Sequence, residues 1–353
     1  MYDVAIVGAG PAGSNLARLI GEKYKVLLID KRDLGNEHPQ SRTGKCCGGL
    51  LAPDAQKMIA KLQLGVPKDI LVDPQLFAVR TIDLTNHQER LYQRFYLNMD
   101  RDKFDRWLVS ILPASVDTNF NSLFRSFTAT PGGFEIRYVT SGREALAKAR
   151  IIVGADGAFS KVRSLIGMDV QAPAKYVAIQ EWFECPDHIP YFTAIFDETI
   201  SDFYSWMIPK ENCLLLGSAL HPGEDARKRF EMLKGKLARM GYRLDARIKT
   251  EGAYICRPKS PSHFFAGRDG IALVGEAAGA ISPSSAEGIS YALKSSLYLA
   301  QSLEKGLDGF LDRYRQMAAD IRLNLLAKNL KSPAMYNPLL RNLAMKSGMQ
   351  CIK

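Results

Sequence analysis

The sequence predicts an α/β fold in two parts: a parallel sheet wound with helices and a smaller, mostly antiparallel sheet. Three observations predict it. The first thirty residues read as strand, tight turn, helix and second strand. Short β-branched and aromatic runs then follow one another between Tyr176 and Leu220, as the strands of an antiparallel sheet do. Finally, a chain of 353 residues, 46% hydrophobic and 24% charged, with a mean hydropathy near zero, is long and apolar enough to bury the cores of two such domains. The same composition argues against a disordered, collagen-like or disulfide-scaffold protein.

Residues 3–7 form a β-branched run that breaks into Gly8-Ala-Gly-Pro-Ala-Gly13, after which Leu16, Leu19 and Ile20 recur at helical spacing. Residues 25–30 read as a second buried strand ending in a carboxylate. The polar, basic, glycine-rich stretch 34–49 predicts a loop. Strands are expected over 75–84 and 90–98, followed by a helix from Arg101 with Phe104, Trp107, Leu108 and Ile111 on one face. Three more strands are expected at 123–129, 134–139 and 149–153, and a second run at 176–184, 191–196, 203–208 and 213–220. A charged helix follows Pro222 to about Met240, a strand at 270–274 precedes a glycine-rich segment, and from Ser284 the pattern is helical almost to the end.

Lys and Arg outnumber Asp and Glu by 47 to 37, a formal charge of +10, so an anionic partner is expected: cofactor, lipid headgroup or nucleic acid. Beyond Asp320 there is no acidic residue, while Arg322, Lys328, Lys331, Arg341, Lys346 and Lys353 alternate with leucines. Such a tail either packs as a helix with a solvated basic face or lies on an anionic membrane surface. No secretory leader is read at the N-terminus, and no run reaches the roughly 18 apolar residues of a membrane span. The six cysteines form no C-x-x-C pair, which predicts a reducing cytoplasm and no metal site. The five histidines, His38, His87, His188, His221 and His263, form no catalytic arrangement and are assigned no role.

Gly8, Gly10 and Gly13 fit G-x-G-x-x-G between a strand and a helix, the context that gives the motif its meaning. Gly8 allows the tight turn, Gly10 lets a pyrophosphate approach the backbone, and Gly13 lets the helix pack closely. The helix N-terminus offers unpaired N–H groups and a favourable dipole, and Asp30 is placed to accept hydrogen bonds from a ribose. This is a Rossmann-type signal that by itself separates neither NAD from FAD.

Two later segments make that separation. Gly154-Ala-Asp156-Gly-Ala-Phe-Ser-Lys-Val-Arg163 resembles the G-A-D-G-x-x-S-x-V-R signature of glutathione-reductase-type flavoproteins related to aromatic hydroxylases. Leu273-Val-Gly-Glu276-Ala-Ala-Gly279 resembles their G-D-A-A motif, with glutamate for the usual aspartate. Further segments narrow the family. Lys45-Cys-Cys47-Gly-Gly-Leu50 resembles a C-G-G segment, Arg101-Asp-Lys-Phe-Asp105 an R-x-x-F-D helix start, and Tyr204-Ser-Trp206-Met-Ile-Pro209-Lys210 with Gly217 a Y-x-W-x-F-P-K and V-G pair. On these motifs, over residues 2–303, the chain is identified as a member of the geranylgeranyl-reductase-type FAD-dependent oxidoreductases, and segments 47–56, 275–279 and 284–293 look closest to CbrA-like members.

The resemblance implies FAD, held by Gly8, Gly10, Ala12, Gly13, Asp30 and Lys31 at the first turn. Arg42, Cys46, Gly48, Gly49, Arg101 and Leu123 are implied as further contacts, with Asp156, Glu276, Pro283, Gly288 and Ile289 in the later motifs. At the start of the last helix, backbone N–H groups would stabilise negative charge on the reduced flavin; Glu287 stands there where relatives often have glycine. Cys47 is the catalytic candidate, shaping the pocket or delivering a proton. Tyr204, Trp206, Ile208 and Pro209 are implied to line an apolar tunnel for an isoprenoid, while Lys210 is read as a surface lysine.

The implied reaction is reduction of a carbon–carbon double bond in a polyprenyl substrate, with NAD(P)H or a ferredoxin-like donor as a transient electron source, since only one dinucleotide motif is present. Two alternatives stand beside it. One is a flavin monooxygenase or halogenase on the same scaffold, because 204–209 also resembles the halogenase W-x-W-x-I-P signature with tyrosine first. The other is a flavin-carrying protein that binds a polyprenyl phosphate at the membrane without turning it over. Nucleic acid is not expected, since no reading module accompanies the charge. The expected division is a discontinuous FAD-binding domain at 1–72, 98–173 and 262–310, a substrate domain at 73–97 and 174–261, and a basic helical segment at 311–353. The expected location is the cytoplasm, with the tail free to touch the membrane's inner face.

Overall fold

In the computed structural model the described residues are 1–35, 45–167, 171–185, 189–223 and 225–352. They form two compact units, the first comprising Met1–Gly44, Asp102–Ala174 and Cys256–Ala327, the second Lys45–Arg101, Lys175–Ile255 and Lys328–Lys353.

The first unit is built on Tyr2–Val7. This strand lies parallel to Val26–Ile29 on one side and to Arg143–Gly154 on the other. Asp117–Asn119 and Ile271–Leu273 extend the parallel sheet at its two ends. Where both faces are covered its central strands run apolar without alternation, over 4–7, 26–29 and 151–153: Val4, Ala5, Ile6, Leu28 and Ile29 have no exposed surface. Helix Pro11–Ile20 starts on a proline, whose fixed φ and missing N–H suit a first helical turn, and buries Leu16 and Ile20 in the same core. Ser122–Thr130, Gly133–Thr140 and Arg143–Gly154 form an antiparallel meander whose last strand continues into the parallel sheet. Helix Ile289–Glu304 packs on the first helix.

The second unit is an eight-stranded sheet. Ala174–Glu184, Cys213–Leu220, Ser205–Lys210 and Tyr191–Phe196 pair antiparallel in succession. Tyr191–Phe196 then runs parallel to Leu76–Asp83, which pairs antiparallel with Gln88–Asn98. Met207, Leu214 and Leu216 point to a core closed by helix Asp225–Arg239 through Phe230, Leu233 and Leu237. Several elements do not follow from the sequence pattern. The strand Arg247–Arg257 places Arg247, Lys249 and Glu251 at alternate positions on the sheet edge, where charge protects the edge and hides the apolar period. Asp117–Asn119 and the helices Pro53–Lys61 and Lys161–Ile166 are further cases.

The units divide the chain differently from the sequence reading in two places. Residues 45–72 group with the second unit, because Leu50–Leu51 adds to that sheet along Gln88–Asn98. The tail is not a segment of its own. The division falls within helix Ala319–Tyr336, whose Ile321 and Leu325 are buried in the first core while Tyr336 packs on Phe196 and Phe203 in the second unit. Nor is the tail's charge all solvated: Arg341 is 3% exposed and pairs with Asp83 and Glu198. Among the described residues no helix is long and apolar enough to cross a membrane.

Candidate functional site

In the first unit the glycine turn can be tested residue by residue. Gly8 has φ 104°, and a Cβ there would lie 2.5 Å from the Ala155 carbonyl oxygen; a Cβ on Gly13 would lie 1.8 Å from the Gly8 carbonyl oxygen. Both glycines are demanded by the protein's own packing. Gly10 differs: its backbone is extended, at φ −75° and ψ −174°, and an added Cβ would meet nothing within 4 Å. Nothing in the described protein requires glycine there, whereas a pyrophosphate brought against the backbone at a helix N-terminus does. Ala12 is 5% exposed, with its methyl facing Gly275. The turn thus fits a dinucleotide.

Asp30, 7% exposed, accepts a 2.6 Å hydrogen bond from the Ala9 N–H, tying the turn to the end of the second strand. Its carboxylate also accepts from Arg32 through the backbone N–H and the guanidinium, and Arg32 reaches on to Asp105 at 2.7 Å. Burial alone would ease a proton off Arg32, but Asp105 and Asp30 hold its guanidinium more firmly protonated than usual. The sequence reading named the exposed Lys31 instead of Arg32. A basic residue two positions after the strand-ending acid was the available signal.

The later motifs are placed in the same unit. Asp156 gives its oxygens to the Ser160 hydroxyl and to the Lys161 and Val162 N–H groups, so its carboxylate serves the start of helix Lys161–Ile166; burial pushes its pKa up against those bonds. Glu276 accepts from the Cys256 N–H at 2.8 Å. The Pro283 carbonyl accepts from the Arg257 guanidinium at 3.2 Å, and Gly288 caps the helix that Ile289 begins. Glu287 turns back on that helix start, taking the Ser290 N–H and hydroxyl at 2.7 and 2.5 Å. The position read as a departure is therefore a capping carboxylate. Leu123 is 40% exposed, paired with Val139 in the meander. Arg42 lies outside the described residues.

In the second unit the C-G-G segment meets one face of strand Ser205–Lys210. Alternation puts Trp206, Ile208 and Lys210 on that face, and a Cβ on Gly48 would lie 2.6 Å from Ile208. Tyr204 lies 5.4 Å from Trp206, the two rings tilted by 53°. Gly217 sits opposite Trp206 in the ladder, and a Cβ there would lie 2.3 Å from the indole nitrogen, so this glycine makes room for the ring. The indole Nε1 is buried without an acceptor among the described residues. Pro209 is buried, its carbonyl taken by Asn98 at 2.8 Å.

Lys210 corrects the sequence reading: it is 5% exposed, not a surface lysine. The strand continues through Pro209, and Lys210 Nζ donates to the Gly49 and Met99 carbonyl oxygens at 3.0 and 2.8 Å. Burial pulls its pKa down to about 7, opposed by the charges of Cys47 and Asp100. The Cys47 thiol receives Arg101 Nη1 at 3.4 Å and the Gly49 N–H at 3.5 Å. Burial would raise its pKa; Arg101, Gly49 and Lys45 together pull it below the ordinary thiol value. Cys46 behaves oppositely: burial and the neighbouring Cys47 push it up, and its thiol donates to Gln180 Oε1 at 3.1 Å. Two adjacent cysteines are thus sorted into a neutral donor and an ionisable group.

No family profile matches the chain. It is 40% identical over 348 residues to Protein CbrA of Escherichia coli O6:H1 strain CFT073, covering 99% of this chain and 94% of that protein. Among solved structures it resembles a geranylgeranyl bacteriochlorophyll reductase-like protein from Thermoplasma acidophilum, with TM-score 0.78 and 19% identity over 93% of this chain and 86% of that one. It also resembles PqsL of Pseudomonas aeruginosa, described as a probable FAD-dependent monooxygenase, with TM-score 0.71 and 18% identity over 99% of both chains. At these identities the structural likenesses establish the fold.

Proposed function

The chain belongs to the CbrA family, and from that premise we propose that it is an FAD-dependent oxidoreductase that reduces carbon–carbon double bonds of a polyprenyl substrate. The observation that carries the dinucleotide reading is Gly10, a glycine that the protein's own packing leaves unexplained and a pyrophosphate explains; the motifs at 154–163 and 273–279 turn that reading toward FAD. FAD, when bound, would supply a hydride to one carbon of the alkene. Cys47 would supply the proton to the other: its S–H bond breaks as the C–H bond forms, and the thiolate left behind is held by Arg101 and the Gly49 N–H. A thiol pulled below its ordinary pKa gives up a proton more readily at neutral pH, while Cys46, bound to Gln180, stays neutral. Tyr204, Trp206 and Ile208 would wall the isoprenoid chain and exclude water. Electrons would come from NAD(P)H or a ferredoxin-like donor.

The purified protein is expected to be yellow, to bleach anaerobically with a donor, and to regain colour as polyprenyl diphosphates or prenylated phospholipids are saturated. Intact, reducible flavin with no alkene reduced across that panel would remove the reductase reading. Lipid retained without reoxidation of the flavin would select a binding protein instead. A monooxygenase or halogenase reading is favoured by Tyr204-Ser-Trp206-Met-Ile-Pro209; oxygen uptake coupled to a hydroxylated or halide-dependent product would establish it.

A further inference from the structure

Helix Pro338–Lys346 is amphipathic with the usual order reversed. Its inward side buries Met345 but is otherwise held by polar groups. Arg341, 3% exposed, pairs with Asp83 at 2.7 Å and Glu198 at 2.6 Å, and Asn342 accepts from the Gln88 amide. Arg90 and Asn86 reach the Met345 and Pro338 carbonyls at 3.1 and 3.0 Å. Its outward side is apolar: Leu339 is 73% exposed, Leu340 45% and Leu343 66%. In the helix before it Leu330 is 73% exposed, and just after it Met349 is 72% exposed.

The burial of Arg341 is offset by its two carboxylates, but nothing in the chain offsets leaving these leucines in water unless something covers them. Exposed apolar residues grouped in this way mark an interaction surface. Charge identifies the occupant. After Asp320 the sequence holds no Asp or Glu, and Lys331 and Lys346 are exposed among these leucines. We propose that Leu330, Leu339, Leu340 and Leu343, with Lys331 and Lys346, form a docking surface for an anionic lipid bilayer. The leucines enter below the headgroups while the lysines stay at the phosphates, as in interfacial helices. The inference does not depend on the redox reading.

The test is co-sedimentation of the full chain with vesicles of phosphatidylcholine alone or mixed with phosphatidylglycerol. Binding to the mixed vesicles is expected to exceed binding to phosphatidylcholine by at least about tenfold and to weaken with salt. Leu339→Ser with Leu343→Ser should lower binding by about tenfold or more with an unchanged melting temperature, because both side chains are exposed. Lys331→Gln with Lys346→Gln should lower it several-fold. Independently, Leu343→Trp should shift its emission to the blue on adding mixed vesicles. The proposal is overturned if the unaltered chain does not bind, or if the leucine substitutions leave binding unchanged. It is equally overturned if sedimentation velocity finds a dimer that the same substitutions dissociate, since a second copy would then be the occupant.

Discussion

The glycine turn of the first unit and the cysteine cluster of the second each prepare a site for chemistry, by opposite means. The turn is built from backbone: Gly8 and Gly13 remove side chains so that strand, turn and helix close on themselves, and Gly10 leaves a space. The cluster is built from side chains brought together by the fold. Cys47, Arg101 and Lys210 come from three separated stretches, and the site's character lies in how their charges share a poorly solvated space. In the backbone-built site Gly8 and Gly13 tolerate no added atoms and Gly10 does; a side-chain-built site tolerates substitution but changes its protonation. Substitutions should separate the two.

The largest effect is expected at Gly13. With a Cβ at 1.8 Å from the Gly8 carbonyl oxygen, Gly13→Val should abolish cooperative unfolding of soluble protein, a cost of about 3 kcal/mol or more, measured by thermal melt. Gly10→Ala is the contrasting case. It should cost no more than about 1 kcal/mol, since its one added carbon meets nothing and only the N-cap preference for glycine is lost, yet it should lose flavin at least about tenfold more readily on gel filtration. Equal loss of stability in both variants would break the distinction.

For the cluster, Arg101→Met should leave the chain folded and raise the pH at which Cys47 is alkylated by about one unit or more, followed by mass spectrometry of the Cys47 peptide. An unmoved midpoint would mean that Arg101 does not set the thiol's ionisation. Lys210→Met should change the dependence of stability on pH. Below about pH 7 the lysine is protonated in both folded and unfolded chains and adds no slope. Between about 7 and 10.5 the unfolded chain holds a proton that the folded chain has released, so stability rises with pH. The substitution should remove that part of the rise in urea titrations. The smallest effect is expected from Asp156→Ala, which removes the acceptor of the Lys161 and Val162 N–H groups while Ser160 still caps the helix, and should cost about 1 kcal/mol, read from a urea midpoint.

Much of the first unit was legible because its signals are local. Val4-Ala-Ile-Val7 is apolar without alternation, the glycines fall at fixed offsets, and Lys25-Val-Leu-Leu-Ile-Asp30 follows at the spacing of one helix. Motif resemblance also singled out Cys47, Trp206 and Gly217 in the second unit, though not the reason for each. The paired position of Trp206 and Gly217 across a hairpin explains why one needs the other. Lys210 was misread because a lysine after a proline looks like the start of a turn, and its acceptors lie 161 and 111 residues away along the chain. Arg32 was passed over because pairing with Asp105 crosses 73 residues.

The tail gives the same lesson in its plainest form. Alternation of leucine and cation marked it as amphipathic but did not say which side faces inward. That was decided by Asp83 and Glu198, acids on the second sheet and just beyond one of its strands, which draw Arg341 inward and leave the leucines out. Covalent and steric rules act over a few residues, so strand, turn and helix follow from the order of amino acids alone. Desolvation and charge pairing act between residues far apart in the chain, so the ionisation of Cys47 and Lys210 and the outward face of the last helix exist only once the chain has folded.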